Sequence, residues 1–298
     1  MIFGGIEAGG TKWVCAIGSM PDDVRETLVF PTGRPDETIA RAAGFFSSEA
    51  HGGIAALGVG SFGPIDLHRT SPTWGRITTT PKPGWADTDL FARLSATLHV
   101  PLAFDTDVNA AALGEHRWGA AVGLETFCYV TVGTGIGGGG MANGRLMHGL
   151  LHPELGHMRI PHDRAVDPFD GVCPYHGDCF EGLASGEAIR KRWNLSPGEP
   201  LHEHALQLEA DYLALGLVNL VAVLSPQRII VGGGVMNEPS LLELVRTRLR
   251  SLASGYFDTP LLADQVDDYV VRPALGDRAG VLGALELARL ALDGGSAD

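Results

Sequence analysis

Four side chains between residues 157 and 179 have the types and spacing to hold a metal ion. Cys173, His176 and Cys179 stand in a C-x2-H-x2-C pattern, and His157 lies upstream as a fourth donor. Two thiolates and two imidazoles make a closed tetrahedral set, the usual form of a structural zinc site. On spacing alone, His162 competes with His157 for the fourth position. Two carboxylates, Glu154 and Glu181, bracket the cluster. A clamp pinning two carboxylate-bearing segments implies a polar substrate site built around a zinc staple.

A second reactive constellation is Asp105-Thr106-Asp107-Val108-Asn109, where a strand meets a helix. One carboxylate there can cap the helix. The other can take a proton from a substrate hydroxyl.

Three glycine runs end strands: Gly9-Gly10, the run from Gly133 to Gly140, and Gly232 to Gly234. Each alone reads as a tight turn needing positive φ. Together they let backbone amides approach a polyphosphate, with Thr11 and Thr134 adding hydroxyls. EAGGTK is not a P-loop, because Thr11 precedes Lys12 and a second strand follows. Gly133 to Gly138 matches G-x-G-x-x-G, but a hairpin follows it, so a dinucleotide fold is a poor reading.

The elements that must position these groups are legible from periodicity. Residues 2–6 and 13–17 form a hairpin around Gly9-Gly10. Further strands are read at 55–60, 101–104, 127–132 and 229–231. Helices are read at 108–118, at 184–193 with Ser185 as N-cap, at 204–224, at 240–253 and at 278–291. The strand and glycine-turn grammar occurs twice, which implies two similar α/β lobes with a cleft. The lobes are expected at 1–117 plus a returning helix at about 278–298, and at 118–277 with the zinc segment 154–181.

A net charge of -13 argues against nucleic-acid binding, which needs Lys and Arg on phosphates. No apolar run is read as long enough to cross a bilayer. The N-terminus lacks the basic region of a signal peptide, so a cytoplasmic location is expected. Of the four cysteines, Cys15 and Cys128 sit in apolar strand-like runs and are expected in the core.

The segments GGIEAGGTKWVCAIG, GVGSFGPIDL, ITTTPKPGWA, DTDVNAAALGEHRWG, YVTVGTGIGGG, GLLHPELGH, CPYHGDCFEGLASG and IIVGGGVM run through the chain nearly end to end. In that order they resemble the ROK (repressor, open reading frame, kinase) family of sugar kinases, most closely its bacterial fructokinase branch. The resemblance implies a two-lobed actin-like, ribonuclease-H-like α/β fold with ATP and sugar in the cleft. It implies Asp107 as the base that accepts the hydroxyl proton, with Thr106, Asn109, Glu154, His157 and Glu181 contacting the sugar. It places Gly9, Gly10, Thr11, Lys12, Thr134, Gly135, Gly232, Gly233 and Gly234 against ATP, with Mg2+ at the phosphates. It also ranks His157 over His162 as the zinc ligand; His162 and His152 are read, on ordinary grounds, as surface-loop histidines.

The implied reaction is phosphorylation of D-fructose to fructose 6-phosphate, by a homodimer with structural Zn2+. Kinases for mannose or glucose, and a non-catalytic zinc-stabilised sugar-binding module, are the competing readings. Three positions carry branch-specific choices. Glu7 stands where many members have Asp, Thr106 where glucose-type members have Asn, and His176 where they have a C-x-C-G pattern. The last two favour fructokinase. Repressor members carry a DNA-binding segment before the kinase core, whereas this chain begins on the first strand, so no DNA-binding role is expected.

Overall fold

The computed structural model describes residues 1–47, 53–196 and 199–292. Strands β1 (Phe3–Ala8), β2 (Lys12–Gly18) and β3 (Val24–Pro31) precede α1 (Pro35–Phe46) and β4 (Leu57–Ser61). The short pair β5 (Arg76–Ile77) and β6 (Thr88–Asp89) leads to α2 (Leu90–Leu98), β7 (Leu102–Thr106) and α3 (Asp107–Trp118). Next come β8 (Phe127–Val132), β9 (Ile136–Ala142), β10 (Arg145–Leu146), α4 (Phe180–Ala184), α5 (Gly186–Trp193) and α6 (Glu203–Leu224). The last elements are β11 (Ile229–Gly232), α7 (Leu241–Ala253), the short α8 (Pro260–Ala263) and α9 (Val266–Tyr269), β12 (Val270–Val271) and α10 (Ala279–Leu292).

The internal repeat is visible in strand order. One sheet runs β3-β2-β1-β4-β7 and the other β10-β9-β8-β11-β12, so each has three chain-adjacent strands followed by two later additions. In the first, β4 and β7 join in parallel; in the second, β11 and β12 do.

The chain divides into two compact units. One comprises Met1–Gly123, Gly139–Pro153 and the segment from Ala274; the other comprises Leu124–Gly138 and Glu154–Pro273. The first unit thus takes Gly139–Pro153, which the expected 118–277 lobe had included. The expected helix at 278–298 is α10 as far as Leu292; residues 293–298 lie outside the described residues.

In the first unit the sheet is buried on both faces, and side chains alternate with the period of two that a strand imposes. Trp13, Cys15 and Ile17 of β2 join the core with Phe30, Phe46, Leu57, Trp85 and Leu94. Val14 and Ala16 point the other way, to Val281 of α10. That helix lies directly on strand backbone. A Cβ on Gly5 would come within 2.9 Å of the Val281 carbonyl, and one on Gly58 would overlap the carbonyl of Ala284. Glycine there is needed for close approach, not for a turn.

In the second unit β11 and β8 pair with Ile229 opposite Cys128 and Gly232 opposite Thr131. Helix α6 is, among the described residues, the one long and apolar enough to cross a membrane by length and composition. Over half of its most apolar window, 56%, is buried inside the protein, and the helix carries the buried Glu209. The sequence-level statement that no such run exists is corrected by this helix, whose apolar faces serve the core. Cys15 and Cys128 are buried as expected, and burial pushes both thiols up to about 12.

Candidate active site

In the first unit the chemistry gathers where β7 becomes α3. The N-cap is Thr106, whose hydroxyl accepts the Asn109 amide at 3.0 Å. Neither aspartate caps the helix, contrary to the sequence reading. Asp105 is buried and accepts the Thr106 amide at 2.7 Å and the Asn109 Nδ2 at 2.9 Å. With the cap filled by a hydroxyl, Asp107 occupies the first helical position, and one of its oxygens accepts the Val108 amide at 2.9 Å. The positive end of the helix favours a carboxylate there. Burial nevertheless pushes the Asp107 carboxyl up to about 6.

Glu7, near the end of β1, is another half-buried carboxyl of this unit with a raised pKa. Burial pushes it up to about 7, the charge on Asp107 adds to the rise, and Lys12 opposes it. One Glu7 oxygen has no hydrogen-bond partner. Thr106 and Asn109, expected to contact the sugar, are turned into the protein. Both are buried, and the Asn109 side-chain Oδ1 accepts the Gly140 amide at 3.1 Å. They build the helix start.

The Gly9-Gly10 turn closes with the Gly9 amide donating to the Lys12 carbonyl at 3.0 Å. Thr32 pins it, its hydroxyl donating to the Gly9 carbonyl at 2.7 Å. Thr11 and Lys12 are exposed at its tip. Gly9, Gly10, Gly133, Gly135 and Gly234 all lack positive φ, whereas Gly233 has φ 92° and Gly140 φ 147°. The tight-turn explanation therefore holds for Gly233 and fails for most of the runs. A Cβ on Gly10, Gly133 or Gly234 would meet nothing within 4 Å, so nothing inside the protein requires glycine there.

In the second unit the zinc-type cluster is assembled. The donor atoms of His157, Cys173, His176 and Cys179 all lie within 4.8 Å of one another. His157 Nδ1 stands 3.7 Å from both Cys173 Sγ and Cys179 Sγ, and His176 Nδ1 stands 3.6 Å from Cys173 Sγ. Zn–S and Zn–N bonds at a tetrahedral angle separate S from N by about 3.6 Å, so these three separations are those of a zinc site. Cys173 and Gly177 exchange backbone hydrogen bonds at 3.2 and 2.9 Å, and Gly177 takes φ 63°. This turn is what brings the C-x2-H-x2-C donors to one point.

The competitor is excluded by its partners. His162 Nδ1 meets Asp178 at 3.2 Å and Nε2 meets the Asp167 carbonyl at 2.9 Å. His152 accepts the Ile65 amide on Nε2 at 3.1 Å. The side chains of both are buried and structural, so the surface-loop reading is corrected for each.

The two carboxylates flanking the cluster have different settings. Glu154 Oε2 lies 4.0 Å from His157 Nε2, leaving the other ring nitrogen, Nδ1, to face the thiolates. A carboxylate behind a metal-binding imidazole fixes its orientation. Glu181 Oε2 accepts the Ile136 amide at 3.0 Å. A Cβ on Gly135 would come within 2.5 Å of that same oxygen. Gly135 therefore leaves room for Glu181. The turn is held further by α5, whose Gly186 amide donates to the Gly133 carbonyl at 2.7 Å.

The chain is similar in sequence and fold to several sugar kinases. The chain is 45% identical over 296 residues to the fructokinase of Zymomonas mobilis, covering 96% of each. It is 40% identical to the fructokinase of Pediococcus pentosaceus, covering 98% of this chain and 99% of that one. The solved ROK hexokinase of Thermus thermophilus is 29% identical with a TM-score of 0.77, covering 99% and 100% of the two chains. A ROK family glucokinase from Streptomyces griseus, solved with glucose and AMPPNP, is 25% identical with a TM-score of 0.76, covering 97% and 99%. The two α/β units are those of the actin-like fold that these kinases share. The ROK family model matches residues 3–291, and the chain belongs to the ROK family of sugar kinases.

Proposed function

We propose that this chain transfers the γ-phosphoryl group of ATP to the primary hydroxyl of D-fructose, giving fructose 6-phosphate and ADP. The observation that carries the reading is Asp107, a half-buried carboxylate at the first position of α3 whose pKa is raised to about 6. Such a group is ionised at neutral pH yet basic enough to take a proton. It accepts the hydroxyl proton as the sugar oxygen bonds to the γ-phosphorus. The bond to the bridging oxygen breaks, and ADP leaves with that electron pair.

Glu154, His157 and Glu181 hold the other sugar hydroxyls. Thr106 and Asn109 act through the helix start that they build. Gly9, Gly10, Thr11, Lys12, Thr134, Gly135 and Gly232 to Gly234 form the ATP turns. Support comes from Gly10 and Gly234, glycines with no steric or φ requirement inside the protein, which leave open backbone for phosphate. Mg2+ neutralises phosphate charge when bound. Zn2+ on His157, Cys173, His176 and Cys179 is structural, because four protein donors leave no open position for water. Fructose is favoured among hexoses by relatives named fructokinases at 38–45% identity. A homodimer in the cytoplasm completes the reading.

The test is a coupled ATP-to-ADP assay across fructose, mannose and glucose, with Asp107→Ala beside the wild type. Fructose gives the highest kcat/KM and Asp107→Ala abolishes turnover while ATP still binds. Preference for another hexose reassigns the substrate, and a working Asp107→Ala removes the base.

A further inference from the structure

We propose that Asp105 and His148 are positioning residues that set the helix start bearing the catalytic carboxylate. The inference rests on the reading of Asp107 as base. Asp105 is buried, and each of its oxygens is committed. Oδ1 accepts the Thr106 amide at 2.7 Å and Asn109 Nδ2 at 2.9 Å. Oδ2 faces His148 Nε2 at 2.9 Å. Asn109 passes the arrangement on, its side-chain Oδ1 accepting the Gly140 amide at 3.1 Å and its Nδ2 lying 3.4 Å from His148 Nε2.

Asp105, Thr106, Asn109, Gly140 and His148 thus tie β7, the cap of α3 and the strand β9 into one hydrogen-bonded unit around residues 105–109. Gly139 belongs to the same device, since a Cβ there would overlap the Asn109 side-chain Oδ1. Asp107 itself is held by backbone amides of the helix start, its own and that of Val108, the latter at 2.9 Å. Its aim therefore depends on where the helix starts, and the start depends on Asp105. A buried carboxylate keeps one geometry only while its lone pairs are filled. His148 fills the last oxygen, from the segment that reaches Glu154.

Near-attack geometry is steep in distance: a displacement of about 1 Å can cost about a hundredfold in rate. Loss of the His148 donor should therefore fall on kcat and leave substrate affinity largely alone. A residue that merely supports the fold would lower thermal stability without this split.

The experiment compares His148→Ala, His148→Gln and Asp107→Ala in the full chain. Gln places its amide N–H near the position of His Nε2 and can donate to the same Asp105 oxygen. His148→Ala is expected to lower kcat by about 10- to 100-fold, with KM for fructose and for ATP changed less than about threefold. His148→Gln recovers most of that loss. Thermal midpoints and circular dichroism of each variant separate misfolding from misalignment. The proposal is overturned if a folded His148→Ala keeps wild-type kcat, if its loss lies in KM, or if His148→Gln is equally impaired. Turnover by Asp107→Ala would instead remove the base reading itself, so the two failures are distinct.

Discussion

Glu181 occupies the space that a side chain on Gly135 would need: its Oε2 accepts the Ile136 amide at 3.0 Å and lies 2.5 Å from where a Gly135 Cβ would be. A glycine assigned to ATP from its motif is thereby tied to a carboxylate assigned to the sugar. Gly135→Ala should displace Glu181 and raise KM for fructose about tenfold or more, with ATP affinity changed much less. Steady-state kinetics with each substrate varied in turn checks the split. An ATP effect larger than the fructose effect would return Gly135 to the phosphate turn alone.

Zinc should be present at one ion per chain, and its removal should weaken the sugar side first. His157 presents Nδ1 to the thiolates and Nε2 to Glu154, so loss of the ion frees the imidazole facing that carboxylate. Treatment with a strong chelator is expected to lower the thermal midpoint and raise fructose KM. Elemental analysis of the pure active protein checks the stoichiometry, and zinc-free protein at full activity would remove the metal from the account.

The pH dependence follows from Asp107 and Glu7, pushed up to about 6 and about 7. With Asp107 as the proposed base, it must be ionised for turnover, so kcat/KM should fall about tenfold per pH unit once the pH drops below the Asp107 value. Stability has the opposite sign. Both folded values lie above the unfolded carboxyl values of about 4, so the folded state holds more protons in between. Their contribution to stability is full below about pH 4 and is lost as pH rises towards 7. A pH–rate profile and thermal midpoints across that window measure the two trends separately.

Glu209 is buried in α6 with both carboxyl oxygens unpartnered among the described residues, and burial holds its pKa well above the ordinary range against the pull of Arg192. The unfolded chain ionises this group above about pH 4.3 while the folded chain keeps it protonated, so stability declines with pH through that range. Glu209→Leu removes both the unpaired polar group and the slope. It is expected to stabilise the protein by about 1–3 kcal/mol at neutral pH, read by denaturant unfolding. A destabilised variant would mean that Glu209 is held by a partner such as Arg192.

Phe180 follows Cys179 of the zinc-type cluster and lies against Gly216 of α6, where a Cβ would overlap its ring. Gly216→Ala gains about 1 kcal/mol of helix propensity yet should destabilise the protein, because it pushes Phe180 and Cys179 outward. A fall in thermal midpoint together with reduced zinc retention is the expected result.

Local spacing in the sequence was sufficient for the donors Cys173, His176 and Cys179, for the β1–β2 hairpin, for Ser185 as a cap, and for two sheets built on one repeated grammar. Each depends on residues a few positions apart, where backbone geometry leaves little choice. What the tertiary structure decided involves partners far apart in the chain. It fixed His157 as the fourth donor by giving His162 to Asp167 and Asp178. Gly135 was set against Glu181, and Asn109 against Gly140 and Asp105. Thr106 is the cap in place of either aspartate, which leaves Asp107 at the first helical position. These outcomes depend on which buried oxygen finds which amide when distant segments pack, because a buried polar group must be paired and local spacing does not specify its partner.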